Sequence, residues 1–315
     1  MLRLLPLLFA LLLSGCAPKP EIRIGLNGWP GYDLLHLASR LGYFNDEGVA
    51  VRIVDFTSLA DSRRAYERGQ VDAIGTTPLE TIIAQGNAPE PLQIVQIIDF
   101  SDGADVILAR SGIASVADLR GRNVGVEPGS VCLYVLSRAL QQAGLSIDDV
   151  NLVAQSQTSL DAGIRNGLID AIVSYPPVST LIARDGVATP IFSSAKIPGE
   201  VVDVLSVNTR IAEERPEDVA AIIRAFYRAR AFLDKQPGQA IELMRQRAGL
   251  NADEYAAALG DGIRFVDASG QRAYLGPTGS LRDILRRTSD LLLRLGVVDS
   301  PPPPESLYTD RFARP

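Results

Sequence analysis

The chain is short of the side chains that carry most enzyme chemistry. Its 315 residues include one histidine, one tryptophan, two cysteines and two methionines. The single histidine, His36, sits among Leu34, Leu35 and Leu37, with no serine or cysteine companion in a nucleophile-elbow pattern. No grouping of His, Cys and Asp has metal-ligand spacing, so no metal is expected. Gly25, Gly28 and Gly31 do not form the dinucleotide fingerprint, and no phosphate-binding P-loop occurs. No catalytic residue and no cofactor is therefore expected, although the carboxylates are too many to exclude an acid/base pair by counting. Positive charge is also scarce: 31 Lys and Arg face 37 Asp and Glu, a net charge of −6. That balance is a poor match for nucleic acid. At 46% hydrophobic and 22% charged, the composition is that of a globular chain with filled cores.

The long apolar run is confined to the start. Arg3 precedes the apolar residues 4–13, and Leu13-Ser14-Gly15-Cys16 ends in a cysteine. About ten apolar residues are too few to span a bilayer and read as a signal peptide. The Leu-Ser-Gly-Cys order resembles the bacterial lipobox, which implies lipidation at Cys16 and removal of residues 1–15; an ordinary signal peptide is the alternative. Residues 16–21, with Pro18-Lys19-Pro20, form a tether. Lipidation would leave Cys132 alone, so no internal disulfide is expected.

The interior carries a weak repeat. A β-like run at residues 22–26 leads into Asn27-Gly28-Trp29-Pro30-Gly31, and Asn123-Val124-Gly125-Val126 leads into Glu127-Pro128-Gly129-Ser130. Helical patterns follow at 32–41 and 131–143, then β-like runs at 49–54 and 150–154. Ser58-Leu59 and Ser159-Leu160 open further helices, which end before Gly69-Gln70-Val71-Asp72 and Gly167-Leu168-Ile169-Asp170. Five landmarks recur in order at offsets of 98 to 101 residues. The spacing predicts two similar βαβα lobes with parallel-rich sheets. A polar stretch at 99–105 reads as the hinge crossing, and residues 201–207 as its return. Lobe 1 is then 22–101 plus 206–315, lobe 2 is 102–205, and helices at 216–234, 237–248, 252–260 and 280–295 precede Pro301 to Pro304.

Ligands of open α/β sheets sit outside the carboxyl ends of the strands, so facing lobes define a cleft. Asn27, Trp29 and Tyr32 lie on the first such turn. The only tryptophan, set between Gly28 and Gly31, either stacks on a planar ligand or packs on its own lobe. Thr76, Thr77 and Tyr175 occupy equivalent strand ends, and Thr77, like Ser174, either binds ligand or caps a helix. Gly129-Ser130 opens a helix whose free N–H groups suit an anion. Ser58 and Thr158 stand at the other helix starts, where plain capping is the commoner role. Phe100 and Asp102 fall in the hinge, where Asp99, Asp102 or Asp105 could hold an amine. Asp72 and Asp170 recur identically, which marks them as structural. The cleft loops contain no Lys, Arg or His, which favours a planar or amine-bearing organic ligand over an inorganic anion.

Asn27-Gly28-Trp29-Pro30-Gly31-Tyr32, then Leu41-Gly42-Tyr43-Phe44, Glu47-Gly48-Val49 and the Gly-x-Val-Asp-Ala-Ile pattern at 69–74 resemble the NitT/TauT group of ABC substrate-binding proteins. That group includes binders of nitrate, taurine, alkanesulfonates and thiamine-pyrimidine precursors. The resemblance spans about residues 21–300 and is strongest over 22–80. It implies a type II periplasmic-binding-protein fold closing on a small molecule and ABC permease subunits as partners. A monomer in the periplasm or at the cell surface, lipid-anchored to a bacterial membrane, is expected. A sulfonate, taurine or nitrate-type anion is the alternative ligand, and docking on a membrane receptor is the alternative use.

Overall fold

The computed structural model describes residues 19–260 and 262–313; the expected signal segment and Cys16 lie outside the described residues. Lobe 1 begins with β1 (Ile22–Leu26), α1 (Asp33–Arg40), α2 (Tyr43–Asp46), β2 (Val51–Asp55), α3 (Leu59–Glu67), β3 (Ala73–Thr76), α4 (Pro78–Gln85) and β4 (Leu92–Ser101). The chain crosses to lobe 2 for β5 (Val106–Ala109), β6 (Asn123–Val126), α5 (Val131–Gln142), β7 (Asn151–Ala154), α6 (Gln157–Arg165), β8 (Ala171–Ser174), α7 (Val178–Arg184) and β9 (Thr189–Ser193). It returns on β10 (Val202–Asn208), α8 (Thr209–Glu214), α9 (Pro216–Lys235), α10 (Pro237–Met244), α11 (Ala252–Gly260), β11 (Ile263–Phe265), α12 (Gln271–Leu275) and α13 (Leu281–Arg294).

These strands form two sheets, ordered β11-β4-β10-β3-β1-β2 and β7-β6-β8-β5-β9. The βαβ part of each is parallel: β1 pairs with β2 and β3, and β6 with β7 and β8. The crossing strand lies antiparallel beside the third strand, β10 beside β3 and β5 beside β8. The sheets are therefore mixed, and the same mixture recurs in both lobes. β3 and β8 are buried along their whole length, which explains their continuous apolar character. This is the two-lobed α/β fold expected.

The repeat extends to single hydrogen bonds. A carboxylate oxygen of Asp72 accepts the backbone N–H of Arg23 at 2.9 Å, and Asp170 accepts that of Asn123 at 2.9 Å. Each aspartate's own N–H returns to the carbonyl of the same partner, at 2.8 Å and 2.9 Å. Both residues thus pin the start of the central strand, a scaffold role. Gly69 and Gly167, at φ +68° and +74°, end α3 and α6 in the left-handed conformation that avoids a Cβ clash.

Departures from the expected plan are local. β4 runs through Ser101, so part of the expected hinge loop is strand. β10 joins the first sheet from Val202, which moves residues 202–205 into lobe 1. Ser58 caps α3 as its repeat position suggests, but α6 is capped by Ser156 and begins at Gln157, so Ser159 is not a cap. The expected helix at 237–248 ends its α-turns at Met244, and the short strands β9 and β11 were not foreseen. α9 starts with Pro216 at its first turn, followed by Glu217 and Asp218. It lays Val219, Ile222, Phe226, Ala229 and Leu233 on one stripe and packs that stripe against α1. No described helix is long and apolar enough to cross a membrane.

Candidate functional site

The turn after β1 carries the aromatic half of the cleft. Trp29 and Tyr32 are buried despite their place on a loop, because each donates a hydrogen bond to a buried carboxylate. The Trp29 indole N–H reaches both oxygens of Asp99 at 3.3 Å, and the Tyr32 hydroxyl donates to Asp203. Gly31 is required by this closeness, since a Cβ there would collide with the Asp99 carboxylate. Asp99 and Asp203 are direct cross-strand partners on β4 and β10. Two carboxylates face to face in a sheet repel when both are ionised.

Further acids close the ring. Asp105, just ahead of β5, and Glu127, at the end of β6, are 2% and 1% exposed. Glu80, on α4, is wholly buried. Burial pushes Asp105 to about 7, with the Glu80 charge adding to the rise against a hydrogen bond from Ser101. Burial likewise lifts Glu127 to about 7, reinforced by the Glu80 charge. Asp99 and Asp203 are also raised, by burial first; for Asp203 the facing Asp99 charge comes next. Both oxygens of Glu127 and the Asn27 Oδ1 have no hydrogen-bond partner among the described residues.

Lobe 2 supplies the facing wall. Tyr175 meets Trp29 edge-on at 6.2 Å between ring centroids, and its hydroxyl accepts from the Asn27 amide at 3.2 Å. Trp29, Leu59, Thr77, Asp105, Val131, Tyr175, Val201 and Asp203 enclose a cavity of about 10 Å³ between the lobes. That is about the room one water needs and far below the roughly 300–1,000 Å³ of ligand sites, so the lobes must part to admit a ligand. Among the described residues, no Lys, Arg or His lines it. What it offers is a box of aromatic faces and carboxylates, the arrangement that attracts an organic cation.

The expected site residues divide accordingly. Trp29, Thr77 and Tyr175 line the cavity, and Asn27 and Tyr32 bond to its walls. Thr76 is buried beside Glu80, 3.4 Å from that carboxylate. Ser58, Thr77 and Ser130 cap α3, α4 and α5, the structural alternative for each hydroxyl. Gly129, with φ +66°, leaves room for the Arg63 side chain. Phe100 and Asp102 fall outside the cavity: alternation along β4 turns Asp99 inward and Phe100 to the other face, where it stacks at 5.0 Å on Tyr274. Asp102 pairs instead with Arg264 at 3.0 Å. Thr158 is exposed on α6. Asp33, which follows Tyr32 at the start of α1, is bound by Arg247 and by the Tyr255 hydroxyl at 2.5 Å.

Asp203 and Glu80 were missed. Their signals were present: an acid inside the apolar run Val201-Val202-Asp203-Val204, and the Thr77-x-x-Glu80 capping pattern.

The family described as NMT1/THI5 like matches residues 30–240. A Brucella abortus protein assigned as a binding protein is 24% identical over 298 residues, 93% of this chain and 91% of that one. Among solved structures, the alkanesulfonate-binding protein SsuA of Xanthomonas axonopodis pv. citri bound to MOPS superposes with a TM-score of 0.81 at 19% identity, covering 93% of this chain and 99% of that one. The periplasmic aliphatic sulphonate binding protein SsuA of Escherichia coli gives 0.74 at 23% identity, covering 92% of each chain.

Proposed function

Because this chain belongs to the NMT1/THI5-like family, we propose that it is an extracytoplasmic solute-binding protein that captures a small amine-bearing organic molecule, with planar heterocycles favoured, between its lobes. The observation that carries the ligand class is that Asp105 and Asp203, the latter facing buried Asp99 across the sheet, line a cavity with no basic side chain among the described residues. A cation between those carboxylates replaces repulsion with attraction and restores their ionised state. Trp29 and Tyr175, edge-on to each other, supply aromatic walls for an organic cation. Closure follows from contacts to both lobes, which a bridging ligand strengthens only in the closed form. Delivery to an ABC permease accords with the family and with the binding proteins it resembles. Binding, with no chemistry, is the role we assign.

A thermal-shift panel of amines, heterocyclic amines, alkanesulfonates and nitrate, run on the wild type and on Trp29→Ala, tests the ligand class. Stabilisation by amine-bearing compounds that Trp29→Ala abolishes is expected. Stabilisation by sulfonates or nitrate alone, indifferent to Trp29, would replace it with the anion reading, which the sulfonate-binding structures favour.

Membrane attachment through acyl chains on Cys16 is proposed from the Leu13-Ser14-Gly15-Cys16 sequence. Cys16→Ser should release the protein from membranes, and unchanged association would end the claim. Docking on a membrane receptor in place of a permease would use the same cleft; a co-transcribed permease and ATPase pair favours transport.

A further inference from the structure

The amino end of α5 in lobe 2 is already served by a carboxyl group, and that group comes from lobe 1. The Glu80 carboxylate accepts the backbone N–H of Val131, the first residue of α5, at 2.8 Å. Its other oxygen accepts from the Thr77 hydroxyl and from the Thr77 N–H at 3.1 Å, both in lobe 1. α5 is 12 residues long and has no acidic residue of its own in its first turn. The Ser130 hydroxyl accepts the N–H of Cys132 at 3.3 Å and its carbonyl accepts that of Leu133 at 3.0 Å, which leaves the Val131 N–H to Glu80. Without Glu80 the Val131 N–H would stand unpaired at the positive end of the helix dipole, which is an anion seat.

We infer that Glu80 is a built-in anion: it fills the α5 seat across the cleft, holds the lobes together, and excludes sulfonates, nitrate and carboxylates from a position that would otherwise take them. The inference deepens the proposed function, because it explains how a chain with this fold refuses anions. It rests on that reading only for what the cleft does accept. Glu80 is a specificity-determining residue, and a closure contact by the same hydrogen bond.

Two variants separate these effects. Glu80→Ala vacates the seat. Val131→Pro removes the donor but keeps Glu80; proline is tolerated at a first helical position, and Ser130, at φ −129° and ψ 166°, already has the extended backbone that precedes proline. Small-angle scattering on the free proteins should show a larger radius of gyration for both variants than for the wild type. Calorimetric titration with inorganic sulfate and ethanesulfonate should give no saturable binding to the wild type or Val131→Pro. Glu80→Ala should bind them at least about tenfold more tightly, the equivalent of about 1.4 kcal/mol at a helix end. If Glu80→Ala fails to fold because its capping box is lost, Val131→Pro alone decides closure, and a wild-type radius there overturns the latch. Anion binding by the wild type equal to that of Glu80→Ala, or none by either, overturns the exclusion. Neither arm uses an amine, so failure of the amine reading would appear separately in wild-type amine titrations.

Discussion

The two lobes share a scaffold and differ at their tips. In lobe 1 the turn after β1 delivers Trp29 and Tyr32, and β3 leads into Thr77 and Glu80. In lobe 2 the equivalent positions deliver Glu127 and Ser130 after β6, and Tyr175 after β8. The crossing strands correspond too: β10 brings Asp203 to the cleft edge and the start of β5 brings Asp105. Asp72 and Asp170 make the same backbone bonds on both sides. What is duplicated is therefore what holds strands in register, and what diverges is what faces the cleft. Lobe 1 contributes more aromatic donors and more acid, and lobe 2 closes on them.

The largest expected effect is at the divergent tips. Asp203→Asn removes one of two facing carboxylates and should lower affinity for the amine ligand about 100-fold, or roughly 3 kcal/mol. The same change should raise the melting temperature of the free protein at pH 8, since it ends the repulsion with Asp99. A parallel loss of stability and binding would contradict the assignment of Asp203 to the ligand.

The scaffold comparison predicts an asymmetry. Asp72 also holds the Arg23 guanidinium at 2.7 Å and 2.8 Å, which Asp170 does not match with any basic side chain. Burial pushes Asp72 upward, yet the Arg23 side chain and backbone N–H hold it below the usual carboxylate range. Asp72→Ala should cost about 2–3 kcal/mol in chemical denaturation and Asp170→Ala about 1 kcal/mol. Equal costs would mean that the Arg23 pair adds nothing.

Proton linkage sharpens the contrast further. Asp105 and Glu127, each lifted to about 7, bind protons in the folded state that the unfolded chain releases near pH 4. Their contribution to stability is thus complete below about pH 4 and lost as pH rises through about 7. Carboxylates held low, such as Asp72, lose theirs only as pH falls below the usual range. The free protein should melt several degrees lower at pH 8 than at pH 5.5, while the stabilisation added by an amine grows over the same span. A flat profile between those values would remove the buried acids from the account.

The smallest effect concerns the helix starts. Ser58→Ala and Ser156→Ala should each cost about 1 kcal/mol, as lost caps do. Ser159→Ala should stay within about 0.5 kcal/mol, because Ser159 lies inside α6.

That last contrast shows where the sequence stops being readable. Landmark spacing located both βαβα units and paired Asp72 with Asp170, because strand starts and glycine-terminated helices leave strong local patterns. It misplaced the α6 cap, since Ser156 and Ser159 are chemically equal and only the backbone distinguishes them. Asp99, Asp102 and Asp105 are indistinguishable while 99–105 reads as loop; once β4 extends through Ser101, alternation sets Asp99 beside Asp203 and Phe100 on the other face. Glu80 and Asp203 were hidden by distance, since their partners Val131 and Tyr32 lie 51 and 171 residues away.

The central claim is that the cleft recognises positive charge. Its most direct test is calorimetric titration of the wild type at pH 8 with the best amine from the panel and with its isostere carrying a hydroxyl in place of the amine. The account predicts at least about 100-fold weaker binding of the neutral isostere, the loss expected when a buried charge pair is left unmade. Equal affinity for the two would contradict it.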